Sequence, residues 1–231
     1  MQNAGIVKLL ALSILSVLFL FAFSVEKQAP DPTSKSQLGQ KLFFEKALSL
    51  DSSISCASCH KPEFGFADTM AFSLGVGDSI GRRNTPSVMN MALRFHYFYD
   101  GRVETLEEQV IVPIEDPREM NVDYSVVVDR VQNDDEYNAL FQKIYGEQPD
   151  SANIANAIAE FIRSLEGDGT APHDQWLNED DRKAMTASQM RGREVFIGDG
   201  KCFDCHFGPD FTGDEFKNCL LYTSPSPRDI G

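Results

Sequence analysis

The residues with the most specific chemistry in this chain form two pentapeptides of the type Cys-x-x-Cys-His. They are Cys56-Ala57-Ser58-Cys59-His60 and Cys202-Phe203-Asp204-Cys205-His206. In such a pentapeptide the two thiols can add to the vinyl groups of a haem, and the histidine can reach the iron as an axial ligand. A disulfide pair or half of a zinc site would leave unexplained why a histidine follows both cysteine pairs. The spacing therefore predicts two covalently bound c-type haems, with His60 and His206 as iron ligands.

Helical patterns surround both pentapeptides, whereas few stretches alternate apolar and polar residues as a strand would. Pro113 is expected to end a helix that begins at Leu106, and Ser151 is expected to cap a helix that runs to Leu165. Thr186 with Gln189 should form a capping box before the second haem motif. The expected helices span 36–45, 106–112, 124–131, 136–145, 151–165 and 186–196. The predicted fold class is all-α, with two cytochrome c-like haem domains of which the second is incomplete.

The 231 residues suffice for one or two domains, and haem motifs near the two ends favour two. We divide the chain into five segments. These are a signal peptide (1–24), a linker (25–35), an N-terminal cytochrome c-like haem domain (36–166), the start of a C-terminal cytochrome c-like haem domain (167–218) and a tail (219–231).

The beginning of the chain has the features of an export signal. Lys8 supplies the positive charge, residues 9–23 are almost wholly apolar, and Ala22-Phe23-Ser24 offers small residues around a cleavage point. An uncleaved membrane anchor is the alternative, although the apolar run falls short of the usual ~20 residues of a membrane span. Both alternatives place the haem-binding part outside the cytoplasmic membrane, and cleavage predicts a periplasmic protein.

The last residues of the chain do not have a sequence typical of a haem domain. From Cys219 to Asp229 the sequence is the translation of a common transposase sequencing adapter. We therefore interpret everything after about Asn218 as adapter-derived sequence on a truncated gene, the alternative being a genuine Pro/Ser-rich tail. On this interpretation Cys219 is not encoded by the organism and takes no part in haem attachment.

The formal net charge of the chain is −14. So acidic a protein is not expected to bind nucleic acid or an anionic bilayer. It would attract a small basic electron carrier, although acidity by itself is also typical of an ordinary solvated surface.

Further short motifs lie between residues 38 and 212. They are Leu-Gly-Gln-Lys-Leu-Phe-Phe at 38–44, Gly-Arg-Arg-Asn-Thr-Pro-Ser at 81–87, Asp-Gly-Arg at 100–102, Leu-Glu-Glu-Gln at 106–109, Pro-Ile-Glu-Asp-Pro-Arg-Glu-Met at 113–120, Phe-Ile-Arg-Ser-Leu at 161–165 and Gly-Pro-Asp-Phe-Thr at 208–212. With these motifs and the two pentapeptides, the chain resembles the bacterial dihaem cytochrome c peroxidase family, which includes the MauG-type enzymes. The resemblance covers essentially everything between the signal and the tail.

The resemblance implies roles for individual residues. His60 would be the proximal ligand of the peroxide-reacting iron and His206 that of the electron-entry iron, while Gln109 and Glu119 match the family's distal-pocket residues. A carboxyl group above the iron can move a proton between the two oxygens of a peroxide, whereas a glutamine can only orient it by hydrogen bonding. Without the resemblance, Glu119 would be interpreted as an exposed residue of an acidic loop.

Three further positions are assigned by the same resemblance. Asn84 matches a residue that helps to hold a calcium ion, although an asparagine before Thr-Pro is also a common turn former. Tyr99 occupies the place of a tryptophan between the haems, where it could relay electrons or simply pack. Val76 stands where several peroxidases have a histidine that caps the first haem, and since valine cannot ligate iron, we expect that haem to be open without reductive activation.

The resemblance implies a periplasmic enzyme that reduces hydrogen peroxide with electrons from a small cytochrome c or copper protein. The alternatives are a MauG-like oxidation of a protein side chain through high-valent haem iron, and a dihaem electron-transfer cytochrome without peroxide chemistry. After signal cleavage no membrane association is expected. The sequence leaves the oligomeric state open, with a homodimer among the alternatives, and lacks the segment that would supply the second haem's sixth ligand.

Overall fold

Eight α-helices form the framework of the part of the chain that the computed structural model describes, which is residues 31–178, 181–208, 211–213 and 216. They are α1 (Lys35–Phe43), α2 (Cys56–Cys59), α3 (Leu106–Glu115), α4 (Tyr124–Gln132), α5 (Asp135–Tyr145), α6 (Ser151–Arg163), α7 (Pro172–Asn178) and α8 (Ala187–Ile197). Short 3₁₀ turns lie at Lys46–Leu48, Pro62–Phe64, Val76–Asp78 and Cys202–Asp204. The predicted signal peptide (1–24), Cys219 and the tail (219–231) lie outside the described residues.

The expected all-α fold is confirmed. Within the described ranges, β-structure is limited to isolated bridges, such as those joining Lys61 to Ala67 and Leu74 to Ile80. None of the helices in these ranges is long and apolar enough to cross a membrane.

The hydrophobic core lies where α1 crosses α6. Leu38 and Leu42 of α1 and Ile154 and Ile158 of α6 are almost completely buried. At the crossing, a Cβ atom on Gly39 would lie 1.8 Å from the carbonyl oxygen of Ala157. The two backbones therefore approach so closely that a residue without a side chain is needed at this point. Since α3 also packs on α6, this core fixes the helix that carries Gln109.

Helix α3 is longer than the sequence predicted. It runs through Pro113 to Glu115, so the expected end at Val112 is wrong. Proline is tolerated here because it lies in the last turn, where it forfeits only one hydrogen bond to the preceding turn. The Pro113 carbonyl then accepts the Met120 N–H at 3.1 Å, and the Ile114 carbonyl accepts the Val122 N–H at 2.9 Å. These bonds fold the following segment back onto the helix.

Both ends of α6 differ from the sequence-based prediction. The N-cap of α6 is Asp150 instead of Ser151, because the Asp150 carboxylate accepts the Asn153 N–H at 2.7 Å and Asn153 bonds back in a capping box. The helix ends at Arg163, two residues before the expected Leu165. The capping box of Thr186 and Gln189 at the start of α8 is confirmed.

Helix α7 is not among the helices that the sequence predicts. Its first residue is Pro172, whose fixed φ suits the first helical position. The division of the chain into two haem domains stays a prediction.

Candidate functional site

A cavity of about 1120 Å³ brings most of the predicted site residues together. This volume exceeds the roughly 300–1,000 Å³ of ordinary small-molecule pockets. The residues of the sequence-based prediction that line it are Cys56, Cys59, His60, Asn84, Tyr99, Gln109, Glu119, Cys205 and His206. Residues from both haem motifs therefore border one continuous space.

The imidazole of His60 is held so that one ring nitrogen remains available. Its Nδ1 lies 3.1 Å from the carbonyl oxygens of both Phe66 and Pro86. Carbonyls only accept hydrogen bonds, so Nδ1 must carry the proton and Nε2 keeps its lone pair. Burial lowers the pKa of His60, although these two carbonyls and the Asp68 carboxylate oppose the shift. A neutral imidazole with a free Nε2 is the form that binds a metal.

The second motif repeats this arrangement. His206 Nδ1 lies 3.1 Å from the carbonyl oxygen of Phe211, as His60 Nδ1 does from that of Phe66. Both phenylalanines have left-handed backbones, with φ of 57° and 56° respectively. Because such values are rare outside glycine, their recurrence shows that the two loops following the haem motifs are built alike.

A second phenylalanine ring packs near each motif histidine and near the phenylalanine to which that histidine is bonded. The Phe43 ring is centred 6.3 Å from that of His60 and 6.1 Å from that of Phe66. The Phe196 ring lies 6.5 Å from that of His206 and 5.7 Å from that of Phe211. Sequence reasoning missed these residues, although a signal existed, because both helices carry the pattern Gly-x-x-apolar-Phe, at 39–43 and at 192–196.

The four motif cysteines are free thiols. Burial raises the pKa of Cys56 to about 12, and it also raises the pKa of Cys59. Glu119 is close enough to both thiols for its negative charge to raise their pKa further. The thiols of Cys56 and Cys59 therefore stay protonated at neutral pH, and the carboxyl group of Glu119 lies near the first motif.

Glu119 is held by its backbone between α3 and a glycine-containing loop. Its carbonyl oxygen accepts the Val76 N–H at 2.8 Å, and the Ser79 hydroxyl donates to the Arg118 carbonyl at 3.1 Å. A Cβ on Gly75 would lie 2.1 Å from that Arg118 oxygen. The loop therefore packs tightly against the backbone of Glu119 and fixes the position of its Cα atom.

The side chain of Glu119 borders the open cavity and is exposed to solvent there. Enough protein atoms nevertheless surround the carboxyl group for burial to raise its pKa above 4.5. The negative charge of Asp116 raises the pKa further, while Arg102 opposes the shift. Such a carboxyl group holds its proton more readily than an ordinary glutamate and is suited to proton transfer.

Gln109 projects from α3, and this helix is clamped to α6 close to it. Glu107 accepts hydrogen bonds from Arg163 Nη2 at 2.7 Å and Arg163 Nη1 at 2.9 Å, and from Asn156 Nδ2 at 2.9 Å. Since these contacts lie two residues from Gln109, they limit the rotation and sliding of α3 at the cavity wall.

Asn84 and Tyr99 are neighbours on the cavity wall. The amide Nδ2 of Asn84 donates to the Met70 carbonyl at 2.7 Å, and the Tyr99 hydroxyl donates to the Asn84 carbonyl at 3.4 Å. Within the described ranges, no cluster of three or more His, Cys, Asp or Glu residues is placed to hold a metal ion. Calcium at Asn84 stays a prediction, as does electron relay through Tyr99.

Basic residues are concentrated at the cavity, in contrast to the net charge of −14 of the whole chain. Among the described residues, five arginine residues line the cavity against three acidic residues, and two of the five pair with Asp100. The arginine residues are Arg82, Arg83, Arg94, Arg102 and Arg118. Guanidinium groups bind carboxylates through paired hydrogen bonds, so this wall suits a ligand that carries carboxylate groups.

Known proteins resemble this chain over most of its length. The methylamine utilization protein MauG of Methylorubrum extorquens is 38% identical over 197 residues, which are 84% of this chain and 55% of that protein. The cytochrome c peroxidase Ccp of Escherichia coli is 34% identical over 194 residues, covering 84% of this chain and 41% of that protein.

Solved structures show the same likeness. A MauG-like protein associated with microbial copper homeostasis superposes with a TM-score of 0.69 at 26% identity, covering 85% of this chain and 62% of that one. The diheme peroxidase BthA of Burkholderia thailandensis gives a TM-score of 0.66 at 28% identity, covering 79% and 51%.

The chain spans about half the length of the relatives that it matches. A family model described as di-haem cytochrome c peroxidase matches residues 33–182. This stretch contains the first haem motif, Gln109, Glu119 and the loops that position them. The chain belongs to the di-haem cytochrome c peroxidase family.

Proposed function

We propose that the chain is the peroxidatic part of a periplasmic dihaem c-type cytochrome peroxidase, which reduces hydrogen peroxide to water with electrons from a small redox protein. The observation that carries this proposal is the shared cavity. It joins His60, Gln109 and Glu119, which suit peroxide chemistry, to Tyr99 and His206 on the side of the second motif.

The residues present fit two covalently bound haems. Protonated thiols of Cys56 and Cys59 are available for thioether formation, and His60 and His206 each have Nδ1 at a carbonyl, which leaves Nε2 for iron. The arginine residues of the cavity wall match the carboxylates that a haem carries. When bound at His60, a haem would supply the iron that accepts peroxide and passes on two electrons.

The protein's own part in the reaction is to move protons. The overall change is H₂O₂ + 2e⁻ + 2H⁺ → 2H₂O, and it needs a proton on the oxygen that leaves. A carboxylate oxygen of Glu119 takes the proton from one peroxide oxygen and returns it to the other. The amide group of Gln109 orients the peroxide by hydrogen bonding. The raised pKa of Glu119 suits a group that must take up a proton and give it back.

Electron entry is assigned to the second motif. Cys205, His206 and Tyr99 line the same cavity as the first motif, so haems held at His60 and His206 would lie on one continuous cavity. Tyr99 is the proposed relay between them. A small basic cytochrome c or copper protein would approach this acidic chain with electrostatic assistance.

Covalent haem attachment is the first test. The full chain, expressed in a host that attaches c-type haem, should stain for haem on a denaturing gel because thioether bonds survive denaturation. A Cys56→Ala, Cys59→Ala double variant should lose half of the bound haem, and a Cys202→Ala, Cys205→Ala variant the other half. Retention of both haems in either variant would refute the assignment.

Spectroscopy of the ferric protein separates the enzyme from an electron carrier. The proposed function requires one high-spin haem that is open to peroxide beside one low-spin haem. Two low-spin haems that do not respond to peroxide would instead indicate a dihaem electron-transfer cytochrome.

A MauG-like oxidation of a protein side chain is the second candidate, and Val76 is the observation that favours it. The loop that would carry a capping histidine has Val76, whose backbone N–H bonds to Glu119 and whose side chain cannot ligate iron. Donor stoichiometry distinguishes the two functions. A peroxidase oxidises two equivalents of a one-electron donor for each peroxide, whereas a MauG-like enzyme would leave the donor reduced and oxidise a partner protein.

A further inference from the structure

A buried carboxylate, Asp68, lies behind the first haem motif and takes no part in the steps described above. Its side chain is only 3% exposed. Oδ1 accepts hydrogen bonds from Lys61 Nζ at 2.7 Å, from the Thr69 N–H at 2.7 Å and from the Met70 N–H at 3.3 Å. Oδ2 accepts the Ser73 hydroxyl at 2.5 Å. So many bonds to one buried group indicate that Asp68 organises the loops around it.

One branch of this network leads to the first carbonyl bonded to His60. The Lys61–Asp68 ion pair closes the loop 61–68, which is also closed by hydrogen bonds from Phe66 N to Lys61 O at 2.9 Å and from Lys61 N to Ala67 O at 3.2 Å. Lys61 directly follows His60 in sequence. Closure of this loop therefore returns the Phe66 carbonyl to His60 Nδ1.

The other branch leads to the second carbonyl. The Ser73 hydroxyl that bonds to Asp68 also lies 2.7 Å from Thr85 Oγ1, and the Asp68 N–H donates to the Thr85 carbonyl at 3.4 Å. Thr85 precedes Pro86, whose carbonyl is the other partner of His60 Nδ1. Both acceptors of the His60 proton are thus tied to the same carboxylate.

We propose that Asp68 is a positioning residue that sets the hydrogen bonding of His60 Nδ1 and, through it, the electron donation of His60 to the first haem iron. This inference rests on the proposed ligation of haem by His60. Partners of a ligating histidine raise its basicity, and their loss typically changes metal affinity or activity by about 10–100-fold. Stronger donation stabilises the ferric iron and lowers its reduction potential.

The decisive variant is Asp68→Ala in the haem-loaded protein. We expect the redox equilibrium of the first haem to shift about tenfold toward the ferrous form, which is about 59 mV for one electron. The iron–histidine stretching frequency of the ferrous first haem, measured by resonance Raman, should fall. Loss of a negative charge alone would raise the potential without changing that frequency, so the frequency distinguishes positioning from simple electrostatics.

Two controls accompany this variant. The second haem is an internal reference, because His206 bonds to Phe211 and should keep its potential. Asp123→Asn removes one negative charge at the exposed N-cap of α4, where asparagine caps equally well, and it should leave both haems unchanged.

A milder variant, Ser73→Ala, tests the proposal if Asp68→Ala fails to fold. Ser73→Ala removes the side-chain link between Asp68 and Thr85 but keeps the Lys61–Asp68 ion pair and the backbone bond from Asp68 to Thr85. It should shift potential and frequency in the same directions by less. Unchanged iron–histidine frequencies in both variants, with haem content intact, would overturn the proposed role of Asp68. Wild-type protein without covalent haem at Cys56 and Cys59 would instead refute the proposed function on which this role rests.

Discussion

At the scale of single residues, the site depends on how burial changes ordinary side chains. The same desolvation that raises the pKa of Glu119 raises the pKa of the Cys56 thiol to about 12 and lowers that of His60. In each case burial favours the neutral form. A neutral imidazole and a carboxyl group that can hold a proton are the forms that the proposed chemistry requires.

Glu119→Gln tests the proton-transfer role. Glutamine keeps the size of the side chain but cannot take up a proton, so peroxide turnover should fall by about 10²-fold or more while haem content stays unchanged. Steady-state donor oxidation measures the effect, and Glu147→Gln, at an exposed glutamate of the surface, is the matched control. Equal turnover in the wild type and Glu119→Gln would remove Glu119 from the mechanism.

The pH dependence of turnover is a second test of the proton-transfer role of Glu119. Glu119 must be ionised to take a proton from peroxide, so activity should decline as the pH falls through its pKa. Because burial raises this pKa above 4.5, the decline should begin at a higher pH than for an ordinary glutamate. The residual activity of Glu119→Gln should lack this inflection, and an identical inflection in the variant would assign it to another group.

At the scale of elements, the close crossing of α1 and α6 is the contact that least tolerates change. Gly39→Ala would place a Cβ atom 1.8 Å from the Ala157 carbonyl oxygen, so the helices must separate. We expect a loss of about 3 kcal/mol or more in the free energy of unfolding, measured by urea denaturation followed by circular dichroism.

Gly192→Ala is the matched control, because Gly192 occupies the corresponding position of the repeated Gly-x-x-apolar-Phe pattern in α8. A Cβ there has no atom within 4 Å among the described residues. This variant should be neutral or gain about 0.5–1 kcal/mol, since alanine is the better helix former. Similar losses in both variants would mean that the α1–α6 crossing has no special sensitivity.

The loop 61–68 should show an acid-dependent contribution to stability. Burial opposes ionisation of Asp68, but the hydrogen bonds from Lys61, Ser73 and Met70 outweigh it and lower the pKa to about 2 from 3.8. A lowered pKa stabilises the fold above the unfolded-state value, here by about 2 kcal/mol. This contribution is lost as the pH falls through 2.

Asp68→Asn in the holoprotein measures that contribution. The difference in unfolding free energy between wild type and variant should be largest above pH 4 and should shrink as the pH approaches 2. A difference that stays constant over this range would show that the charge of Asp68 does not contribute to stability.

At the scale of the whole molecule, the charge distribution has two parts. The chain is acidic overall, with a net charge of −14, while five arginine residues line the cavity. The acidic exterior suits long-range attraction of a basic partner, whereas the basic wall suits a ligand with carboxylate groups. The two properties therefore serve the proposed donor and the proposed cofactor separately.

Salt dependence tests the attraction of the donor. With a basic cytochrome c as donor, the second-order rate of haem reduction should fall several-fold between low salt and physiological ionic strength, because screening shortens the Debye length to about 8 Å. An acidic cytochrome c is the control and should show the opposite trend. A salt-independent rate with the basic donor would exclude electrostatic steering.

The haem motifs, the helical class and the capping box at Thr186 could be predicted from the sequence alone, because these depend on residue type and short spacing. The resemblance to the family also predicted Gln109 and Glu119 as pocket residues, and both line one cavity. Local rules failed at Pro113, where packing of the following segment continues the helix, and at Ser151, where the neighbouring Asp150 caps better.

Only the tertiary structure revealed the partners of the histidines. Phe66 and Pro86 are 6 and 26 residues from His60, and they act through backbone carbonyls, which every residue possesses and no sequence pattern marks. Asp68 gains its role in the same way, through Ser73 and Thr85 of other segments. Such groups become specific only when folding brings them together and excludes water, since burial is what makes a missing hydrogen bond costly.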